Sequence, residues 1–187
     1  MSQQELLKRV IRALEDSGCE YMITGSFASS LQGEPRLTHD IDLVVLIPPE
    51  AIDKLTGHFP APDYYLEGDQ MKAAIRERTM FSVLHIAEGD KVDFWMMTPD
   101  PFDTSRFNRK IRESVLGGNL VVSAPEDTIL AKLRWAKLSG GSEKQYRDAL
   151  RVYEVQRDLL DLVYIQEWAT TLGVESDWER IRREADV

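Results

Sequence analysis

The sequence predicts an α/β (α+β) fold: a sheet with helices, followed by a helical C-terminal region. Three observations carry the prediction. "DIDLVVLI" (residues 40–47) is a buried-strand run closed by Pro48-Pro49. "TMFSVLHIAEGDKVDFWMM" reads as two further strands joined by a turn at Glu88-Gly89-Asp90. From Pro125 onward the pattern is helical nearly throughout. The change of character divides the chain into an α/β core, residues 1–123, and a helical region, residues 124–187, expected to pack on it.

Residues 2–17 open the chain as an amphipathic helix, with Leu6, Leu7, Val10, Ile11 and Leu14 on one face. Ser2 and Glu5 have capping-box spacing, and Gly18 is a natural stop. "YMIT" (Tyr21–Thr24) is a short β-prone run ending in Gly25-Ser26, and "FASSLQ" is a short helix. "GEPRLTH" is a loop punctuated by Gly33 and Pro35. After the acidic strand, residues 50–58 read as a helix with Pro49 in its first turn. Residues 60–69 read as irregular and 70–77 as a short helix. Residues 103–113 read as a basic helix, and "NLVVS" as a last strand. Ser123 and Glu126 have capping-box spacing for a helix running to about Leu138. Ser142 and Gln145 open the next, to about Arg157, with further helices near 161–172 and 176–185.

Of the 187 residues, 43 % are hydrophobic and 29 % charged, which supplies a core and argues against disorder. A net charge of −9 disfavours a general duplex nucleic-acid binder, which needs a basic surface. Cys19 is the single cysteine, so no intrachain disulfide forms. With no secretory signal pattern in the opening residues, the expected compartment is the cytoplasm. The longest apolar run, Leu43–Ile47, is too short to span a bilayer, so no membrane role is expected.

Asp40 and Asp42 stand out, because burying carboxylates is costly without compensating charge. Positions i and i+2 of a strand share a face, about 6 to 7 Å apart. Both acids therefore project together while Ile41 and Leu43 face the core. Such a pair settles on a shared divalent cation, and Mg²⁺ is the usual choice where phosphate is also a ligand. Asp93, in "KVDFW", joins them if its strand lies beside the first. Three carboxylates on adjacent strands suit one or two metal ions clamping a phosphoryl transfer. Upstream, Gly25-Ser26 sits where a strand turns into a helix. There backbone amides and the helix dipole favour an anion such as a phosphate chain.

"TGSFASSLQGEPRLTHDIDLVV" resembles the signature of the nucleotidyltransferase superfamily that includes DNA polymerase β. That signature is a Gly-Ser or Gly-Gly pair, then, after a gap, Asp-apolar-Asp/Glu-apolar. Here thirteen residues separate Ser26 from Asp40, at the long end of the pattern. The rest of the chain, through "SAPEDTILAKLRWAKLSGGSEKQYRDALRV" and "LLDLVYIQEWATTLGV", resembles the small bacterial nucleotidyltransferases related to AbiEii toxins. The resemblance implies a nucleotidyltransferase-type mixed sheet and transfer of a nucleoside monophosphate from a nucleoside triphosphate to a hydroxyl acceptor. It leaves RNA, protein or a small molecule as the acceptor and an antitoxin as a candidate partner.

Lys132 lies on or near the apolar stripe of its helix, with Ile129 at i−3 and Ala136 at i+4. The resemblance assigns it to the nucleotide phosphates and Asp148, in the "RD" of the next helix, to the same constellation. The expected catalytic set is Asp40, Asp42, Asp93 and Lys132, with the three aspartates as metal ligands. Nucleotide binding falls to Gly25, Ser26, Arg36, Lys132 and Asp148. His39 alternates away from Asp40 and reads as structural; His58 and His85 have no partners at zinc-ligand spacing. Trp95, Trp135, Tyr146, Tyr153, Tyr164 and Trp168 read as core, with one of them, which the sequence does not pick out, available to stack on a base; the basic cluster Arg106–Arg112 reads as a solvated face or an RNA-phosphate contact. Two other readings compete. One is a non-catalytic nucleotide- or partner-binding protein on the same fold; the other is a metal-dependent phosphodiesterase or nuclease, which leaves Gly25-Ser26 unexplained.

Overall fold

The computed structural model describes residues 2–35, 40–115 and 117–185. Helix α1 (Gln3–Asp16) starts at the expected capping box. Glu5 N donates to Ser2 Oγ at 3.3 Å and Ser2 N to Glu5 Oε2 at 2.6 Å. Its apolar face is buried completely at Leu6, Leu7, Val10 and Leu14. Each such side chain contributes about 1.5–3 kcal/mol. Strand β1 (Glu20–Thr24) leads directly into α2 (Gly25–Gln32), then β2 (Asp40–Leu46). A 3₁₀ turn and α3 (Ile52–Gly57) follow, then β3 (Tyr64–Tyr65), α4 (Gly68–Glu77), β4 (Met80–His85) and β5 (Lys91–Met96). Helix α5 (Pro101–Asn108) precedes the hairpin β6 (Ile111–Val115) and β7 (Gly118–Val122). Helices α6 (Pro125–Leu138), α7 (Glu143–Gln156), α8 (Leu162–Leu172) and α9 (Glu175–Glu184) complete the chain.

The sheet has the order β3-β4-β5-β2-β1-β7-β6. It is mixed: β2/β5 and β1/β7 are parallel and the remaining pairs antiparallel. One face carries Tyr21, Ile23, Ile41, Leu43, Val45, Phe81, Val92 and Phe94 into a core closed by α1, α3 and α4. There Phe81 and Phe94 stack at 4.7 Å between ring centroids. The opposite face carries Thr24, Asp42, Asp93 and Ser82, brought into one row by the register Thr24↔Asp42↔Asp93↔Ser82. A separate apolar cluster joins α6–α9 to Phe102 of α5. No helix among the described residues is long and apolar enough to cross a membrane.

The structure corrects the sequence reading in three places. The basic helix ends at Asn108, and Ile111–Val115 is a strand, because "IRESV" finds a partner in β7 from Ile111↔Val122 to Val115↔Gly118. Ser123 does not cap α6. It is fully buried, its amide continues the ladder to Ile23 O at 2.9 Å, and Ala124 holds the cap position. The basic cluster is largely neutralised within the fold. Arg106 pairs with Asp103 at 2.9 Å, Lys110 with Glu20 at 3.1 Å, and Arg109 reaches both Asp127 and Glu126 at 3.2 Å.

Asp127 is fully buried. It also accepts the Tyr164 hydroxyl at 2.7 Å, while the Arg109 guanidinium lies 3.8 Å over the Tyr164 ring. Burial pushes the Asp127 carboxyl up from its ordinary pKa, and the Tyr164 and Arg109 hydrogen bonds pull it back. This network ties α5, α6 and α8 together. Replacing Asp127 by alanine strips Arg109 and Tyr164 of an acceptor and is expected to cost about 3 kcal/mol in denaturant unfolding.

Candidate active site

The turn from β1 into α2 is set by Gly25, whose φ of +67° lies in the left-handed region. A Cβ placed there would meet Asp42 Oδ2 at 2.2 Å, so the glycine backbone packs directly against that carboxylate. Thr24, at the N-cap of α2, makes no side-chain capping bond, so its side chain claims none of the amides opening this helix. Ser26 follows, and Lys132 reaches across from α6 with Nζ 3.4 Å from Ser26 Oγ. Lys132 is 4 % exposed. Its ammonium pairs with Asp148 Oδ2 at 2.8 Å, and Ser29 Oγ approaches the same oxygen at 3.5 Å. A lysine on the apolar stripe of α6 is therefore held in a polar niche built by α2 and α7.

The parallel register places Asp42 beside Asp93 and Asp40 beside Lys91. Since alternate residues share a face, all four side chains emerge on the side that carries Thr24 and Ser82. Asp93 is engaged at both oxygens: Ser82 Oγ donates to Oδ1 at 2.5 Å and Lys91 Nζ lies 2.8 Å from Oδ2. Trp95 Nε1 donates to Asp42 Oδ1 at 3.1 Å. Burial pushes the Asp42 carboxyl up from its ordinary pKa. The charges of Asp93 and Asp40 add to this, while the Trp95 hydrogen bond and Lys132 oppose it.

The three aspartates share a face, but their side chains are not drawn together. Among the described residues no three His, Cys, Asp or Glu groups are gathered closely enough to hold a metal ion as they stand. The expected convergence is corrected to this extent: it exists in the strand register and not in the side-chain rotamers. Lys91 and Ser82 hold Asp93, Trp95 holds Asp42, and like charges do not close up unaided. As a donor set, three hard carboxylate oxygens on one face fit a Mg²⁺ ion.

A cavity of about 620 Å³ opens beside this row, with Gly25, Ser26, Asp42 and Lys132 at one end and Trp95, Trp135 and Leu138 along its wall. The two tryptophans, read from sequence as core, are 37 % and 49 % exposed and meet edge to face at 6.1 Å. Tyr146 and Tyr153 are buried as expected, and Tyr164 and Trp168 are partly buried. Arg36 and His39 lie outside the described residues. Lys91 and Ser82 are site residues that the sequence reading missed, and Trp95 one that it did not pick out from the other aromatics. Lys91 and Trp95 had a signal, since each stands two positions from Asp93; Ser82 had none without the β4/β5 register.

The chain superposes on an antigenic nucleotidyltransferase-like protein from Paracoccidioides brasiliensis with a TM-score of 0.52. Sequence identity is 16 %, covering 100 % of this chain and 95 % of that one. Two structures of the antibiotic-resistance factor ANT(2'')-Ia are similar to the same degree. Its solution structure gives 0.52 at 14 % identity, over 97 % of this chain and 95 % of that chain. Its complex with adenylyl-2''-tobramycin gives 0.53 at 12 % identity, over 94 % and 99 %. The fold is that of the nucleotidyltransferases. No protein-family model and no curated protein matches the sequence, so the likeness is one of fold. Within the nucleotidyltransferase fold, Gly25-Ser26 caps the cavity where β1 enters α2, and Asp40 and Asp42 open the neighbouring strand.

Proposed function

We propose that this protein is a Mg²⁺-dependent nucleotidyltransferase that moves a nucleoside monophosphate from a nucleoside triphosphate to an acceptor hydroxyl. One observation carries the reading. The positive-φ glycine of a strand-to-helix turn packs on Asp42, and the buried Lys132 reaches the adjacent Ser26, so anion-binding and cation-binding groups line one cavity. The first-turn amides of α2 and the Ser26 hydroxyl would hold the phosphates. Lys132 would neutralise charge on the leaving pyrophosphate, with Asp148 fixing its ammonium. Asp40, Asp42 and Asp93 would hold Mg²⁺. Bound there, the ion supplies charge neutralisation at the phosphates and lowers the pKa of the attacking hydroxyl. The exposed indoles of Trp95 and Trp135 offer the base a stacking surface beyond the phosphate end.

The acceptor belongs to RNA, a protein or a small molecule. The Lys132–Asp148 pair supports the AbiEii-like reading, in which the protein is the toxin of a toxin–antitoxin pair working in the cytoplasm. Similarity of fold to ANT(2'')-Ia keeps a small-molecule hydroxyl open. The test is transfer of label from α-³²P nucleoside triphosphates into lysate acceptors, with and without Mg²⁺. Metal-dependent labelling is expected, and release of products without any triphosphate would favour a nuclease instead. Gly25→Ala is expected to abolish labelling, because its Cβ displaces the Asp42 carboxylate from the turn.

A further inference from the structure

We propose that Lys91 is the resident counter-ion of the carboxylate patch, and that its ammonium and the divalent cation compete for Asp93 Oδ2. The inference rests on the nucleotidyltransferase reading and adds to it a residue that governs metal loading. The backbone register sets it up. Lys91 and Asp93 on β5 face Asp40 and Asp42 on β2, giving three acids and one base in a patch two strands wide and two rungs long. The Lys91 ammonium lies 2.8 Å from Asp93 Oδ2, and Ser82 Oγ occupies Oδ1, so the ammonium holds the oxygen of Asp93 that Ser82 leaves. The negative charges of Asp40 and Asp42 act on it as well.

The lysine can leave at small cost. Its side chain is 45 % exposed, against 12 % for Asp93. Ion pairs with one partner so open to water are weak, and a four-carbon stem lets the head swing into solvent. Asp93 has less freedom, being fixed on a central strand and held by Ser82. When Mg²⁺ arrives with a nucleotide, whose phosphates complete its coordination, the ammonium yields Oδ2 and the three acids become available together. Without a nucleotide, the lysine offsets part of the patch's negative charge and disfavours metal. Lys91 is thus a positioning residue acting through Asp93.

The test is Mn²⁺ binding, followed by electron paramagnetic resonance, to wild type and Lys91→Met, with and without a non-hydrolysable nucleoside triphosphate. Lys72→Met on α4 serves as the control for a simple change in net charge. Lys91→Met is expected to bind Mn²⁺ about fivefold more tightly in the absence of nucleotide, the upper end for a half-exposed pair. Its metal-free melting temperature should fall while the gain on adding Mn²⁺ grows. A purely structural lysine would lower the melting temperature and leave metal affinity alone. Unchanged or weaker Mn²⁺ binding by Lys91→Met, with nucleotide-dependent Mn²⁺ binding intact in wild type, overturns the inference and spares the wider reading. Tightening matched by Lys72→Met overturns it too. Absence of saturable Mn²⁺ binding to wild type, even with nucleotide, overturns both.

Discussion

Asp42→Asn should raise the thermal stability of the metal-free protein while removing the proposed nucleotide transfer. The substituted amide keeps the shape of the side chain and can still accept from Trp95 Nε1, so packing is preserved. What the variant loses is a charge that the metal-free fold disfavours, because burial and the neighbouring Asp93 and Asp40 push the Asp42 carboxyl up. A carboxyl with a raised folded-state pKa stabilises the fold fully below its unfolded value. That contribution is lost as pH rises through the folded value. Wild type and Asp42→Asn should therefore melt alike at acid pH. Above the ordinary carboxylate range the variant should gain, by a few degrees for a chain of this size. With Asp42 a ligand of the proposed Mg²⁺, transfer should fall by about a hundredfold or more, since outer-shell partners of a metal alone are worth about 10- to 100-fold. The melting curves are compared in chelator across the pH range, and the labelling assay in Mg²⁺. A variant less stable than wild type at neutral pH would show that the Asp42 charge is already well compensated. A stability gain paired with lost activity is the trade expected of a functional site.

The distribution of what the sequence disclosed follows the reach of each physical signal. Helix α1 was legible because its periodicity and its Ser2–Glu5 box are local. Strands β2 and β5 were legible because short runs rich in β-branched and aromatic residues, bounded by Pro48-Pro49 and Glu88-Gly89-Asp90, favour strand over helix. Asp40, Asp42 and Asp93 announced themselves as acids set among such residues. Strand β6 was hidden, because "IRESV" has no apolar face of its own and becomes a strand only against β7. The pairing of Arg109 with the buried Asp127 was hidden for the same reason: neither charge has a visible partner until α5, α6 and α8 meet. Trp95 and Trp135 misled in the opposite direction. Large aromatics belong in cores on average, and only the assembled cavity shows two of them left open beside Asp42.

Lys132 and Asp148 offer the second large effect, and a way to separate scaffold from chemistry. Their side chains are 5 % and 10 % exposed and meet at 2.8 Å. Lys132→Met removes the cation and leaves the Asp148 charge in the niche. Breaking a buried pair in this way costs about 3–5 kcal/mol, so Lys132→Met should unfold at markedly lower denaturant. Replacing both partners by apolar residues of similar volume removes the buried charge along with the pair. The double variant Lys132→Met/Asp148→Leu should recover most of the stability, since such exchanges are often neutral. It should not recover nucleotide binding. A charge-assisted contact to phosphate is worth about 1.5–3 kcal/mol, so affinity for a Mg²⁺-nucleoside triphosphate should stay at least about tenfold below wild type. Equilibrium unfolding and nucleotide titration on the three proteins read the two consequences separately. If the double variant binds nucleotide as wild type does, Lys132 only braces α6 against α7, and phosphate binding rests on Gly25, Ser26 and the proposed metal. If it folds well and binds poorly, the ammonium beside Ser26 does its work on the ligand.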